Sequence, residues 1–187
     1  MQRWVFETLL ASSAYVIASV LTFEILMPLQ NIFFPEYPSH ASLLFLPHGV
    51  RVLSAWLLGW RSIIALLPGV FLVFAMVGGW DVFLPSRLFA MAIAVATAPI
   101  VFYSCKWLGW DLFPNPHQRP CWLCVMGVGI VTSFLVSGLT NLTFGSAAAE
   151  YIAFLIGDIS GLFFLMLGLY FGFWFFDKRS GLISREE

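Results

Sequence analysis

The 187-residue chain is 60% apolar and 18% aromatic, with only 10% charged residues and a mean hydropathy of +0.91. Soluble domains carry about 25% charged residues, so this composition excludes a water-facing globular surface. The net charge of −1 provides no basic face to neutralise phosphates, which excludes a nucleic-acid partner.

Crossing a bilayer takes roughly 20 mostly apolar residues. The sequence predicts six such stretches and hence an all-α, polytopic bundle forming one domain over 1–187, with the lipid bilayer as its solvent. The first lies near 5–28 and ends at Pro28. It contains Glu24 and no small-residue cleavage site comes after it, so it reads as a retained helix rather than a signal peptide. The second and third, near 42–60 and 62–79, are parted only by Gly59-Trp60-Arg61 and form a tight hairpin. The fourth, near 87–106, comes after Gly78, Gly79 and Pro85, and the fifth, near 121–144, after Pro114, Pro116 and Pro120. The sixth, near 150–176, begins after Gly145-Ser146 and is long for one crossing. This length leaves no room for a soluble catalytic domain at either end.

Lysine and arginine set the orientation. One side collects Arg3, Arg61, Lys106, Arg119, Lys178, Arg179 and Arg185, against Arg87 alone on the other. The positive-inside rule then places both termini in the cytoplasm, as an even number of crossings requires. Trp4, Trp60, Trp80, Trp107, Trp110 and Trp122 fall near helix ends, where an aromatic belt belongs.

Arg51 and Asp158 stand inside apolar stretches at matching depth, about nine and eight residues below the outer ends of the second and sixth helices. At 1.5 Å per residue, that is roughly 12–14 Å into a core about 30 Å thick. An isolated charge there costs about 2.5–3.5 kcal/mol on insertion scales, so each needs a partner or a wet cavity. A ligand site or switchable ion pair fits this pattern; so does a permanent clasp between two helices. His48 lies one turn from Arg51 on the same stripe, and histidine titrates near neutrality. Glu24, Asn141 and Glu150 lie toward the same outer face, where they line a vestibule or simply reach the headgroups. Pro47 beside His48 frees backbone groups at that depth.

A second cluster, Cys105, His117, Cys121 and Cys124, has the count of a zinc site but lacks a second Cys-x-x-Cys. Three cysteines make no disulfide framework. On the cytoplasmic side the thiols stay reduced, which argues against a disulfide, and buried cysteine is a common small hydrophobe; the four are weak metal candidates, and no metal or cofactor is expected. Gly127-x-Gly129, Gly157-x-x-x-Gly161 and Gly168-x-x-x-Gly172 allow close helix approach. No nucleotide loop, Ser-His-Asp set or haem motif occurs, so the chain reads as no enzyme.

Two stretches resemble a known family. Phe45-Leu46-Pro47-His48-Gly49-Val50, continuing through Leu57-Leu58-Gly59-Trp60-Arg61 to Leu67-Pro68-Gly69-Val70-Phe71, is similar to the bacterial membrane-associated sensor domain of histidine kinases and diguanylate cyclases. Ile156-Gly157-Asp158-Ile159-Ser160-Gly161-Leu162 resembles that family's helix near its end. Arg51 departs from the small apolar residue more usual there, six crossings are fewer than the family's, and eleven residues remain after Phe176 where an output domain would begin. The resemblance implies a sensor-like module in the bacterial inner membrane. It would bind a small anionic ligand or a separate membrane or cytoplasmic protein. By the depth argument Arg51 and Asp158 would be its central pair, with His48 and Glu24 shaping the outer vestibule, and Asp158 is the one of that pair that the resemblance also supports. A substrate-binding transport component, or a structural or assembly subunit of a larger complex, are the other classes the sequence admits.

Overall fold

The computed structural model describes residues 2–33, 42–115, 120–144 and 148–180, with no side chains described at 141–144, 148–151, 173–174 and 176–180. All regular structure among them is helical. Helix α1 runs Gln2–Phe33, α2 Leu46–Leu58, α3 Arg61–Gly78, α4 Pro85–Trp107, α5 Trp122–Phe144 and α6 Ala148–Ser180; a short 3-10 turn, Gly79–Phe83, extends α3. Five of the six are long and apolar enough to cross a membrane. Leucine, isoleucine, phenylalanine and tryptophan side chains stand exposed along their outer faces, as a lipid-facing surface requires.

Helix α2 is the exception. Its 13 residues rise about 20 Å, short of a bilayer core of about 30 Å. The stretch expected to form a helix over 42–60 starts late because Ser42–Phe45 is non-helical. That backbone is held from outside its own helix: Phe45 N–H donates to Gly157 O at 2.8 Å, Ser160 Oγ donates to Leu43 O, and Leu43 N–H donates to Gln30 Oε1 at 2.7 Å. Irregular backbone at membrane depth survives only where protein satisfies it in this way. Pro47, in the first turn of α2, lacks an N–H where no helical partner exists for one. From Pro47 to Trp56 every residue of α2 is buried. It is the central post around which α1, α3, α4, α5 and α6 pack.

Glycine sets how closely those helices approach. A Cβ on Gly157 would lie 2.1 Å from Ser42 O, and one on Gly161 the same distance from Phe45 O. The small-xxx-small pair of α6 therefore seats a non-helical backbone segment rather than another helix. Next, α2 and α6 run side by side in the same direction, with Gly49 against Leu162 and Leu165.

Helix α1 does not stop at Pro28. A π-helical segment, Leu21–Leu26, precedes it, and Met27 N–H reaches back to Thr22 O. The widened turn accommodates the proline ring, and the helix continues to Phe33. In α3, Pro68 is carried by a neighbour. The Ser12 hydroxyl of α1 donates to Ala65 O at 2.7 Å and accepts from Gly69 N–H at 3.0 Å, stitching the ladder around the proline. Ser12→Ala should leave these backbone groups short of a partner and cost about 1–3 kcal/mol. Chemical unfolding of the purified protein would read that loss, and an unchanged midpoint would remove Ser12 from the account.

One end of the bundle gathers positive charge. Glu7 bridges Arg3, at 3.0 Å, and Arg61, whose guanidinium also lies 4.3 Å over the Trp4 ring. Trp60 stacks on Tyr103, which brings the α2–α3 turn to the end of α4, where Lys106 pairs with Asp111 at 2.8 Å. Lys106 holds the exposed Asp111 carboxyl below its ordinary value, chiefly through that hydrogen bond. The pairing is therefore complete above the usual carboxylate range and lost as pH falls through the lowered value. Arg87 sits near the start of α4, beside Gly78, at the opposite end.

Candidate functional site

The first turn of α2 carries His48, and the next carries Arg51. Because α2 is surrounded, both are enclosed: His48 is 0% and Arg51 5% exposed. Asp158, one residue past the glycine that accepts from Phe45, is brought alongside at 4% exposure. His48 Nδ1 is 3.3 Å from Asp158 Oδ2 and 3.4 Å from an Arg51 terminal nitrogen, while His48 Nε2 is 3.1 Å from Gly129 O. Ser133 Oγ donates to the same Asp158 oxygen at 2.9 Å.

The imidazole thus lies between the two charges predicted to share a depth. Among the described residues no carboxylate reaches ion-pair distance of Arg51. Its other close neighbour is the Phe45 ring, 5.8 Å from the guanidinium carbon, a cation–π contact at the outer edge of its useful range. Arg51 Nε is buried and has no hydrogen-bond partner among the described residues. A guanidinium has five N–H donors in a planar fork, and here one weak contact to His48 engages it. Buried polar groups in proteins are almost always satisfied. An orphaned donor on a buried cation marks a place where an acceptor belongs.

Tyr15 of α1 is also buried and near enough to feel the charges of both Arg51 and Asp158. Sequence reasoning missed Tyr15, Ser133 and the Gly129 carbonyl. Nothing in an apolar helix distinguishes a hydroxyl that meets a carboxylate from one that bonds its own backbone. Gly129 stood out as a small residue, and smallness carries no information about its carbonyl.

Other expected members do not join the cluster. Glu24 is exposed on the π-helical segment, while Thr22 of the same segment continues the buried line of Tyr15 and Ala18. The side chains of Asn141 and Glu150 lie outside the described residues, as does His117. Cys121 and Cys124 form a disulfide with Cα atoms 5.2 Å apart, so the expectation of reduced thiols is corrected. The first turn of α5 brings positions three apart to bridging distance. Cys105 is a half-buried free thiol packed against the core cluster that contains Val52, Trp56 and Phe102. Among the described residues no three histidine, cysteine or acidic side chains are grouped to hold a metal.

Two surface concavities, one bounded by Trp60, Tyr103 and Trp107, the other by Phe71, Trp80 and Phe83, are apolar and involve none of the polar cluster. Among the described residues, the buried ionisable side chains His48, Arg51 and Asp158 meet in one place, between α2, α5 and α6. The chain matches no protein-family model, no curated protein and no solved structure.

Proposed function

We propose that this chain is a sensor-like module of a bacterial inner membrane that binds a small anionic ligand at Arg51 and has no catalysis of its own. In this reading all six helices are embedded, both termini are cytoplasmic, and α6 hands the signal to a separate protein partner. The observation that carries it is the buried Arg51 guanidinium, with an orphaned Nε and, among the described residues, no carboxylate at ion-pair distance. Planar two-pronged donors suit carboxylates and phosphates. An anion there competes with His48 for the guanidinium. It thereby changes the His48–Asp158 contact that ties α2 to α6, a local charge event with a movable element attached. The collection of Arg3, Arg61 and Lys106 at one end supports the orientation. The resemblance to the membrane-associated sensor domain supports the class. Its quoted residues Gly49, Gly59, Gly69, Gly157 and Gly161 all occupy close-approach positions in this bundle.

Thermal unfolding of the detergent-purified protein against acetate, succinate and inorganic phosphate tests this. A ligand at a hundred times its dissociation constant adds about 2.7 kcal/mol to folded-state stability. At least one of the three anions should raise the midpoint of the wild type and leave Arg51→Met unmoved. Equal responses in both proteins would sink the assignment.

One observation favours a second reading, a substrate-binding transport component. A half-length helix with non-helical backbone leading into it, buried at the centre of a bundle, is how several transporters build their sites. Accumulation of labelled acetate in proteoliposomes separates the two: uptake favours transport, binding without uptake favours sensing.

A further inference from the structure

The hydrogen bonds around His48 cannot all be satisfied in one protonation state. Gly129 O only accepts, so Nε2 carries a hydrogen. Nδ1 then faces two groups with opposite demands. Arg51 can only donate to it, which requires a bare nitrogen. The Asp158 carboxylate can only accept from it, which requires a hydrogen. Without that hydrogen, Nδ1 and Oδ2 stand 3.3 Å apart with lone pairs opposed. With it, the Asp158 contact becomes charge-assisted and the Arg51 contact turns repulsive.

The charge balance rests on the same atoms. With His48 neutral, Arg51 and Asp158 cancel. An anion added alone would leave a net negative charge in a buried, low-dielectric site, which is costly. An anion added together with one proton on the His48–Asp158 pair leaves the sum at zero. The proton also releases Arg51 from His48, so the whole donor fork faces the incoming anion. Proton binding and anion binding therefore favour each other, and linkage makes the effect reciprocal.

The other groups facing this point do not supply an alternative proton. Among the described residues they are Tyr15 from α1, Ser133 and the Gly129 carbonyl from α5, Asp158 from α6 and Arg51 from α2 itself. Charged residues of α3 and α4 with described partners, Arg61 and Lys106, are engaged at the helix ends.

Building on the proposed anion site, we infer that it binds a monovalent carboxylate and one proton together, with the His48–Asp158 pair as the proton's seat. The ligand class is a weak monocarboxylic acid, taken up in stoichiometric terms as the neutral acid and held as separated ions.

The experiment is calorimetric titration of the wild-type protein with acetate from about pH 6 to pH 8, where acetate itself stays ionised. Each pH is run in two buffers of different ionisation enthalpy, so that proton uptake is read directly. The expected result is uptake of one proton per acetate and a dissociation constant rising about tenfold per pH unit at the alkaline end. His48→Gln, which keeps a donor toward Gly129, should bind acetate with neither proton uptake nor pH dependence. Acetate binding to the wild type with no proton uptake overturns the coupling and leaves the anion site standing. Failure to bind acetate at any pH overturns the monocarboxylate assignment, and the anion site falls with it only if succinate and inorganic phosphate also leave the wild-type midpoint unmoved. Both readouts come from the wild type, so a poorly folding variant does not decide the outcome.

Discussion

Gly161→Ala is expected to unseat the Ser42–Phe45 segment and cost about 3 kcal/mol or more. The new Cβ would lie 2.1 Å from Phe45 O and 2.3 Å from its carbonyl carbon, and backbone cannot turn aside as a side-chain tip does. Overpacking alone costs typically 1–3 kcal/mol, and the Phe45 N–H bond to Gly157 O is lost as the segment shifts. That loss strands a backbone donor away from water. Two companion substitutions make the interpretation specific. Gly129→Ala meets the end of the Leu162 side chain, which can change rotamer for about 0.5–1.5 kcal/mol. Gly168→Ala meets open space, and alanine's better helix propensity favours it by up to about 1 kcal/mol. Unfolding midpoints should fall in the order Gly168→Ala, Gly129→Ala, Gly161→Ala. A Gly161→Ala protein as stable as wild type would mean that the Ser42–Phe45 segment does not rest on this face of α6.

Replacing Asp158 should be nearly as severe. Its carboxylate holds His48 and Ser133 directly and is the nearest counter-charge to Arg51 through the imidazole. Asp158→Ala leaves a buried guanidinium with no anion near it among the described residues, and orphaning one member of a buried pair typically costs 3–5 kcal/mol. The second half of the experiment is the Arg51→Met, Asp158→Ala double variant. If the two charges balance each other, the double variant loses less than the sum of the singles, with an interaction of about 0.5–3 kcal/mol. Additive losses would show that the charges are stabilised independently and that His48 transmits nothing between them. Adding acetate to Asp158→Ala offers a separate check: with its counter-charge gone, Arg51 should bind the anion tighter and without the proton.

Much of this architecture was legible in the residues. Helices α3 to α5 begin and end within a few residues of the expected stretches, because their glycines and prolines interrupt apolar runs of membrane length. The matched depth of Arg51 and Asp158 came from a fixed rise per residue, and the structure brings both to one cluster. Proline was the less dependable guide. Pro28 was expected to end the first helix, but a π-helical segment absorbs it, and Pro68 sits inside α3 because a serine from another helix supports the gap. Each rescue depends on a residue that local pattern does not connect to the proline.

What the sequence determined by itself was the solvent and the inventory. An apolar, nearly uncharged chain cut into membrane-length runs must form helices that satisfy their own backbone, and its few interior charges must seek each other. Tertiary structure alone decided the length of α2 and the order of contacts in the site. Helix α2 is short because Phe45 bonds to Gly157, more than a hundred residues away. Arg51 and Asp158 meet through His48 rather than directly, because the rotation of each helix is set by which glycines let it approach. Depth is a property of one helix and can be counted along it. Rotation and neighbour are properties of pairs, settled only when surfaces pack.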